Sequence, residues 1–179
     1  MGRKAYRDRP RARDFQVSRV YAWENESGGM RVGLLRDEDE ANRFLERVYL
    51  PLHFTPPRVI VDPRLTRNCL FHPDSRTINV VDRWGLDMGV VMHEAAHDMA
   101  CLVHRVRKGL PVPSWHGPEF VGIIGEMLAA LTDRDASVLR RHAEGRGIAW
   151  KTPPPSLMEV ARWVRANRRR GWLARPRRR

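Results

Sequence analysis

His93, Glu94 and His97 form an HExxH motif, His93-Glu94-Ala95-Ala96-His97, inside an apolar run. Val90-Val91-Met92 precedes it and Met99-Ala100-Cys101-Leu102-Val103 follows. On an α-helix, residues four apart lie on one face, about 6 Å apart along the axis. Two imidazoles placed in this way can both bind one zinc ion, at roughly 2.0–2.1 Å each. The glutamate beside the first histidine then reaches a water activated by that ion and takes its proton. Five residues thus offer two metal ligands and a general base, the parts of a hydrolase. Asp87 is placed to cap the helix that carries them, and residues 88–107 read as an unbroken helical stretch without proline.

A catalytic zinc site usually takes three protein ligands and leaves a position for water. His104 lies on nearly the same helical face as His97. It is seven residues on, about 10.5 Å along the axis, too far to join His93 and His97 on one ion. Cys101, four residues after His97, could in principle face the metal, but the role of a small buried packing residue suits it better. His116 and Glu119 stand 19 and 22 residues after His97, within Trp115-His116-Gly117-Pro118-Glu119-Phe120. His116 precedes a second helix whose entrance Gly117 and Pro118 fix, so that one imidazole can be aimed at the first helix. Glu119 falls in the first turn, where a carboxylate is favoured by the helix dipole whether or not it binds metal. The spacing favours His116 as third ligand and leaves Glu119 as the alternative.

The elements that must position these groups can be read in outline. Residues 15–23 largely alternate apolar and polar and predict a strand, followed by a turn at Ser27-Gly28-Gly29 and a second short strand over residues 30–35. Asp37 starts a helix with Ala41, Phe44, Leu45, Val48 and Tyr49 at helical spacing, ended by Pro51 or by a short irregular continuation. Residues 58–62 are a β-branched strand, and residues 70–72 and 77–81 a hairpin turning at Pro73-Asp74-Ser75. After the HExxH helix, residues 108–114 read as a loop, Gly117 to Leu131 as a strong helix and Asp133 to Ala143 as a short one. Ser156 then caps a last helix reaching about Arg169. A β-rich first half followed by helices predicts an α+β fold, in one domain over residues 14–169.

Taken together, His93-Glu94-Ala95-Ala96-His97 and His116-Gly117-Pro118-Glu119-Phe120 resemble the SprT-like zinc metalloproteases, including Spartan-type enzymes that cleave proteins crosslinked to DNA. Those proteins pair HExxH with a downstream HGxxF. The chain is also similar to short HExxH metallohydrolases of actinobacteria and their phages. The resemblance covers about residues 88–127. It implies His93, His97 and His116 as zinc ligands, Glu94 as the base, and a zincin-like fold, with a small, mostly antiparallel sheet on the active-site helix and a helical C-terminal half. It also implies that residues 77–81 form the sheet edge that pairs with an extended substrate. No four-cysteine zinc ribbon follows, as it does in some SprT relatives, because the chain has two cysteines.

The net charge of +12 is unevenly placed. Residues 1–13 carry +5 and residues 162–179 carry +9, which leaves −2 for residues 14–161. A disordered basic arm over residues 1–13 and a basic tail over residues 170–179 therefore flank a nearly neutral body. Arg-rich ends suit nucleic-acid phosphates, and acidic protein partners would satisfy the same charge. The longest apolar runs fall far short of the roughly 18 residues of a membrane span. The polar N-terminus does not read as a secretory signal, and Cys69 and Cys101 give no disulfide framework. These features predict a cytoplasmic location.

The function expected is that of a zinc metallopeptidase, acting on protein or peptide, with Glu94 as base. A zinc hydrolase of a non-peptide amide would use the same motif. A DNA-binding module with a structural zinc site is a third reading, and Glu94 argues against it, since a structural site needs no base.

Overall fold

The computed structural model describes residues 14–29, 31–82, 84–106 and 114–169, without the side chains of residues 104–106 and 169. The basic arm, the basic tail, Arg83 and most of the expected 108–114 loop lie outside the described residues. Six helices are described: α1 (Val17–Glu26), α2 (Glu38–Tyr49), α3 (Met88–Val106), α4 (Pro118–Thr132), α5 (Ala136–Gly145) and α6 (Pro155–Arg169). Three strands are described: β1 (Arg58–Val61), β2 (Leu70–His72) and β3 (Thr77–Val80). The fold is α+β, as expected. None of the described helices is long and apolar enough to cross a membrane.

The expected strand over residues 15–23 is instead helix α1. Its buried positions are Gln16, Val20, Trp23, Glu24 and Ser27, a stripe at helical spacing that the short run of alternation concealed. The expected strand over residues 30–35 reduces, among the described residues, to one bridge between Leu34 and Asp87. Its Val32 and Gly33 N–H groups donate to the Asp87 carboxylate instead of to a neighbouring strand. Helix α2 begins as expected at Asp37, whose side chain accepts from Glu40 N–H at 2.7 Å. It buries Ala41, Phe44, Leu45, Val48 and Tyr49, and a 3-10 turn over Leu50–Leu52 continues it past Pro51.

The sheet order is β1-β3-β2. β2 and β3 form the expected antiparallel hairpin, with Phe71 opposite Ile78. β1 pairs with β3 in parallel, with Val59 opposite Ile78. The sheet is therefore mixed rather than mostly antiparallel, and β3 is its central strand. The expectation that residues 77–81 offer a free edge is overturned, because β1 occupies the flank that a hairpin alone would leave open. The strand lying outermost beside α3 is β2.

Helix α3 is capped as expected, Asp87 Oδ1 accepting from Gly89 N–H at 2.8 Å. Gly89 is required by close approach, since a Cβ there would stand 1.6 Å from the Gly29 carbonyl oxygen. Helix α4 starts at Gly117-Pro118 and packs against α3 and α6. Asp133 ends it at φ 61°, so the short helix expected from Asp133 begins three residues later, capped by Asp135 onto Ser137 N–H. Helix α6 starts at Pro155, and Ser156 lies inside its first turn rather than capping it. Buried residues from all six helices and three strands join one core, with α3 and α4 at its centre.

Candidate metal centre

Helix α3 supplies His93, Glu94 and His97 from one face, and the turn into α4 supplies His116. All three histidines are buried, at 1%, 6% and 6% exposure, and their ligand atoms lie within 4.8 Å of one another. Among the described residues this is the group able to hold a metal ion. The Phe120 ring lies against all three, stacked on His97 at 4.3 Å and edge-on to His93 and His116 at 5.0 Å each. Trp115 packs edge-on to His97 at 5.2 Å. These ring contacts pack Phe120 and Trp115 against the imidazoles.

Two carboxylates that the sequence analysis missed orient two of the rings. Glu24 on α1 receives His93 Nδ1 on both its oxygens, at 2.8 and 3.0 Å. Asp14, just before α1, receives His116 Nδ1 at 2.6 Å. Gln16 adds a hydrogen bond from its Nε2 to the His116 carbonyl at 2.7 Å. An ionised carboxylate only accepts, so each Nδ1 carries the hydrogen and each Nε2 presents a lone pair. Those two Nε2 atoms face each other at 3.4 Å. Bare lone pairs so close need a proton or a cation between them. Two nitrogens of a tetrahedral ion at roughly 2.0–2.1 Å would stand about 3.3–3.4 Å apart, so the donor set fits a divalent metal. No hydrogen bond of ordinary geometry reaches the buried Nδ1 of His97.

The electrostatics follow from burial and crowding. Burial pulls the His93 pKa down, but the charge and hydrogen bond of Glu24, with Glu94, outweigh it and leave it above the ordinary value. Burial and the neighbouring imidazoles hold His97 well below it, the nearby Trp115 main chain offsetting only part. Burial lowers His116, with Asp14 opposing. Glu94 is raised by burial, which His93 and the Phe71 main chain counteract and Glu24 reinforces. Three such rings cannot all be protonated together, and a bound cation would replace the proton that His93 otherwise attracts.

Glu94 and His93 open onto a cleft of about 280 Å³, walled by Tyr21, Arg67, Asn68, Cys69, Leu70, Trp84 and Val90. Tyr21 on α1 stacks on His93 at 5.3 Å with planes 14° apart and lies 5.1 Å from His116. Burial and the charges of Glu94, Glu24 and Asp14 push its phenol up to about 12, so it remains a hydrogen-bond donor. Glu119, the alternative ligand, lies away from the cluster and pairs with Lys151 at 2.8 Å. Cys101 packs against the core, and the His104 side chain lies outside the described residues. The remaining polar support sits beneath α3. Asp98, next to His97, receives Arg76 through two bonds of 2.9 and 2.7 Å and the Tyr49 hydroxyl at 2.9 Å. This ties the β2–β3 turn and α2 to the helix that bears the ligands.

Of Glu24, Asp14 and Tyr21, only Glu24 falls on the buried stripe of α1; Asp14 precedes the helix and Tyr21 is exposed, so neither carried a local sequence signal. No family model, no curated protein and no solved structure matches this chain.

Proposed function

We propose that the protein is a zinc-dependent peptidase of SprT-like, zincin type that hydrolyses a peptide bond in the cleft beside Glu94. The observation that carries this reading is the convergence of three buried imidazoles from two elements, with a glutamate from the same helix face on the wall of an open cleft. His93, His97 and His116 would hold the ion. A zinc ion there would supply a Lewis acid for the scissile carbonyl and lower the pKa of a water to about 7. Glu94 takes the proton of that water as the new C–O bond forms, and returns it to the leaving amine as the C–N bond breaks. The outer strand β2, whose Leu70 also walls the cleft, offers the edge along which an extended peptide would lie.

The test is hydrolysis of casein by the zinc-loaded protein, with and without chelator, beside Glu94→Gln. The variant should keep the metal and lose turnover by at least about 100-fold. Normal turnover in Glu94→Gln would remove the mechanism. Chelator-sensitive hydrolysis of small amides with casein untouched would move the assignment to a non-peptide amidase.

A further inference from the structure

The mechanism above leaves one requirement unmet, a donor for the carbonyl oxygen as it takes on negative charge. Tyr49 and Trp84, two potential donors close to the motif, do not meet it. The Tyr49 hydroxyl is buried and donates to Asp98 or Ala95 O, away from the cleft. Trp84 lines the cleft at 46% exposure, but among the described residues its ring is packed against none of the three histidines, and Arg83 lies outside the described residues. Tyr21 is different. Its ring lies over His93 and beside His116, so it is fixed against two of the three metal-binding rings. It shares the cleft wall with Glu94 and is 39% exposed, open to whatever occupies the cleft. Its hydroxyl has no hydrogen-bond partner among the described residues, unlike that of Tyr49.

We infer that Tyr21 is a catalytic residue, its hydroxyl donating a hydrogen bond to the scissile carbonyl oxygen as that oxygen becomes anionic. The inference rests on the peptidase reading. No bond to Tyr21 forms or breaks, and the proton stays on the phenol while Glu94 carries the one that moves. Helix α1 then has two tasks, since the same ten residues that bring Glu24 to His93 also bring the donor. A preorganised donor aimed at developing charge acts in the transition state and hardly in the ground state.

The experiment compares the full-length zinc-loaded wild type with Tyr21→Phe, which removes one oxygen and keeps the stacked ring. Zinc affinity, kcat and KM on a casein-derived fluorogenic peptide, and the Kd of a phosphinic peptide, a tetrahedral anion, are measured for both. Expected are a kcat about 100-fold lower, KM within about twofold, unchanged zinc affinity, and phosphinic-peptide binding weaker by about 10- to 100-fold. If kcat and phosphinic-peptide affinity both stay within about threefold, the assignment is overturned while the peptidase reading stands. Loss of zinc from Tyr21→Phe would make Tyr21 a packing residue and also overturn it. If the wild type cleaves no peptide but the phosphinic peptide still distinguishes Tyr from Phe, the peptidase reading falls and the donor role survives.

Discussion

Glu24 and Asp14 would act on the candidate metal centre through the histidines they hold. A carboxylate on Nδ1 fixes the tautomer and the ring angle and makes Nε2 a stronger ligand. Glu24→Gln keeps the shape but can turn an N–H toward His93, and Asp14→Asn does the same at His116. Each should weaken zinc binding by about 10- to 100-fold, read by competition with a chromophoric chelator. Glu24→Gln should have the larger effect, because Glu24 is 1% exposed and meets Nδ1 with both oxygens. Equal zinc affinity in wild type and both variants would show that the pairing is not tuning the ligands. The convergence of the three histidines was legible in the sequence, since four-residue spacing on a helix and a Gly-Pro helix entrance are local signals. Their supporting carboxylates lie 69 and 102 residues away in the chain, and no local spacing announces partners so distant.

At the scale of elements, the site depends on how α3 is held at its start and along its underside. Asp98 is almost wholly buried and is neutralised by Arg76, whose residue in the β2–β3 turn adopts φ 50°. Arg76→Met would leave Asp98 buried without its cation and should destabilise the protein by about 2–4 kcal/mol, the upper part of the usual range being reduced because Arg76 is partly exposed. The urea midpoint checks it, and a change below about 0.5 kcal/mol would mean that water replaces the arginine. Asp87, at the start of α3, carries a pH signature. Burial raises its pKa above 3.8, against the opposing N–H groups of Gly89, Val32 and Gly33. The folded chain therefore takes up this proton at a higher pH than the unfolded chain does. The contribution of Asp87 to stability is constant above its folded pKa and grows as pH falls from there toward 3.8. The stability difference between wild type and Asp87→Asn should accordingly move in favour of the wild type between pH 7 and about 4. A flat or opposite trend in the urea midpoints would contradict that sign. Elements with strong local markers, such as the capped α2 and the Pro73-Asp74-Ser75 hairpin, were legible. Helix α1 was not, because nine residues of partial alternation fit a strand as well as a helix until the buried stripe beyond Trp23 is known. The parallel partner of β3 was hidden for a similar reason, since a hairpin says nothing about what lies on its far side.

At the scale of the whole molecule, the charge and the chemistry are separated along the chain. The candidate metal centre is assembled from residues 14–120 of a nearly neutral body, while the net +12 comes from the two ends. On the proposed function, a peptide in the cleft would meet Glu94 and His93. We propose that the ends bring the protein to nucleic-acid phosphates, near which its protein substrates would be cleaved. Deleting residues 1–11 and 170–179 removes nine net positive charges and leaves +3, and it spares Asp14 for His116. The shortened protein should bind duplex DNA far more weakly, with a much shallower dependence of log affinity on log salt, since that slope counts the phosphates neutralised. Its kcat and KM on a short peptide, and its zinc affinity, should equal those of the full chain. If DNA affinity and its salt slope are unchanged by the deletion, the ends have another partner. If instead peptide turnover falls with DNA binding, the separation is wrong and the ends reach the cleft.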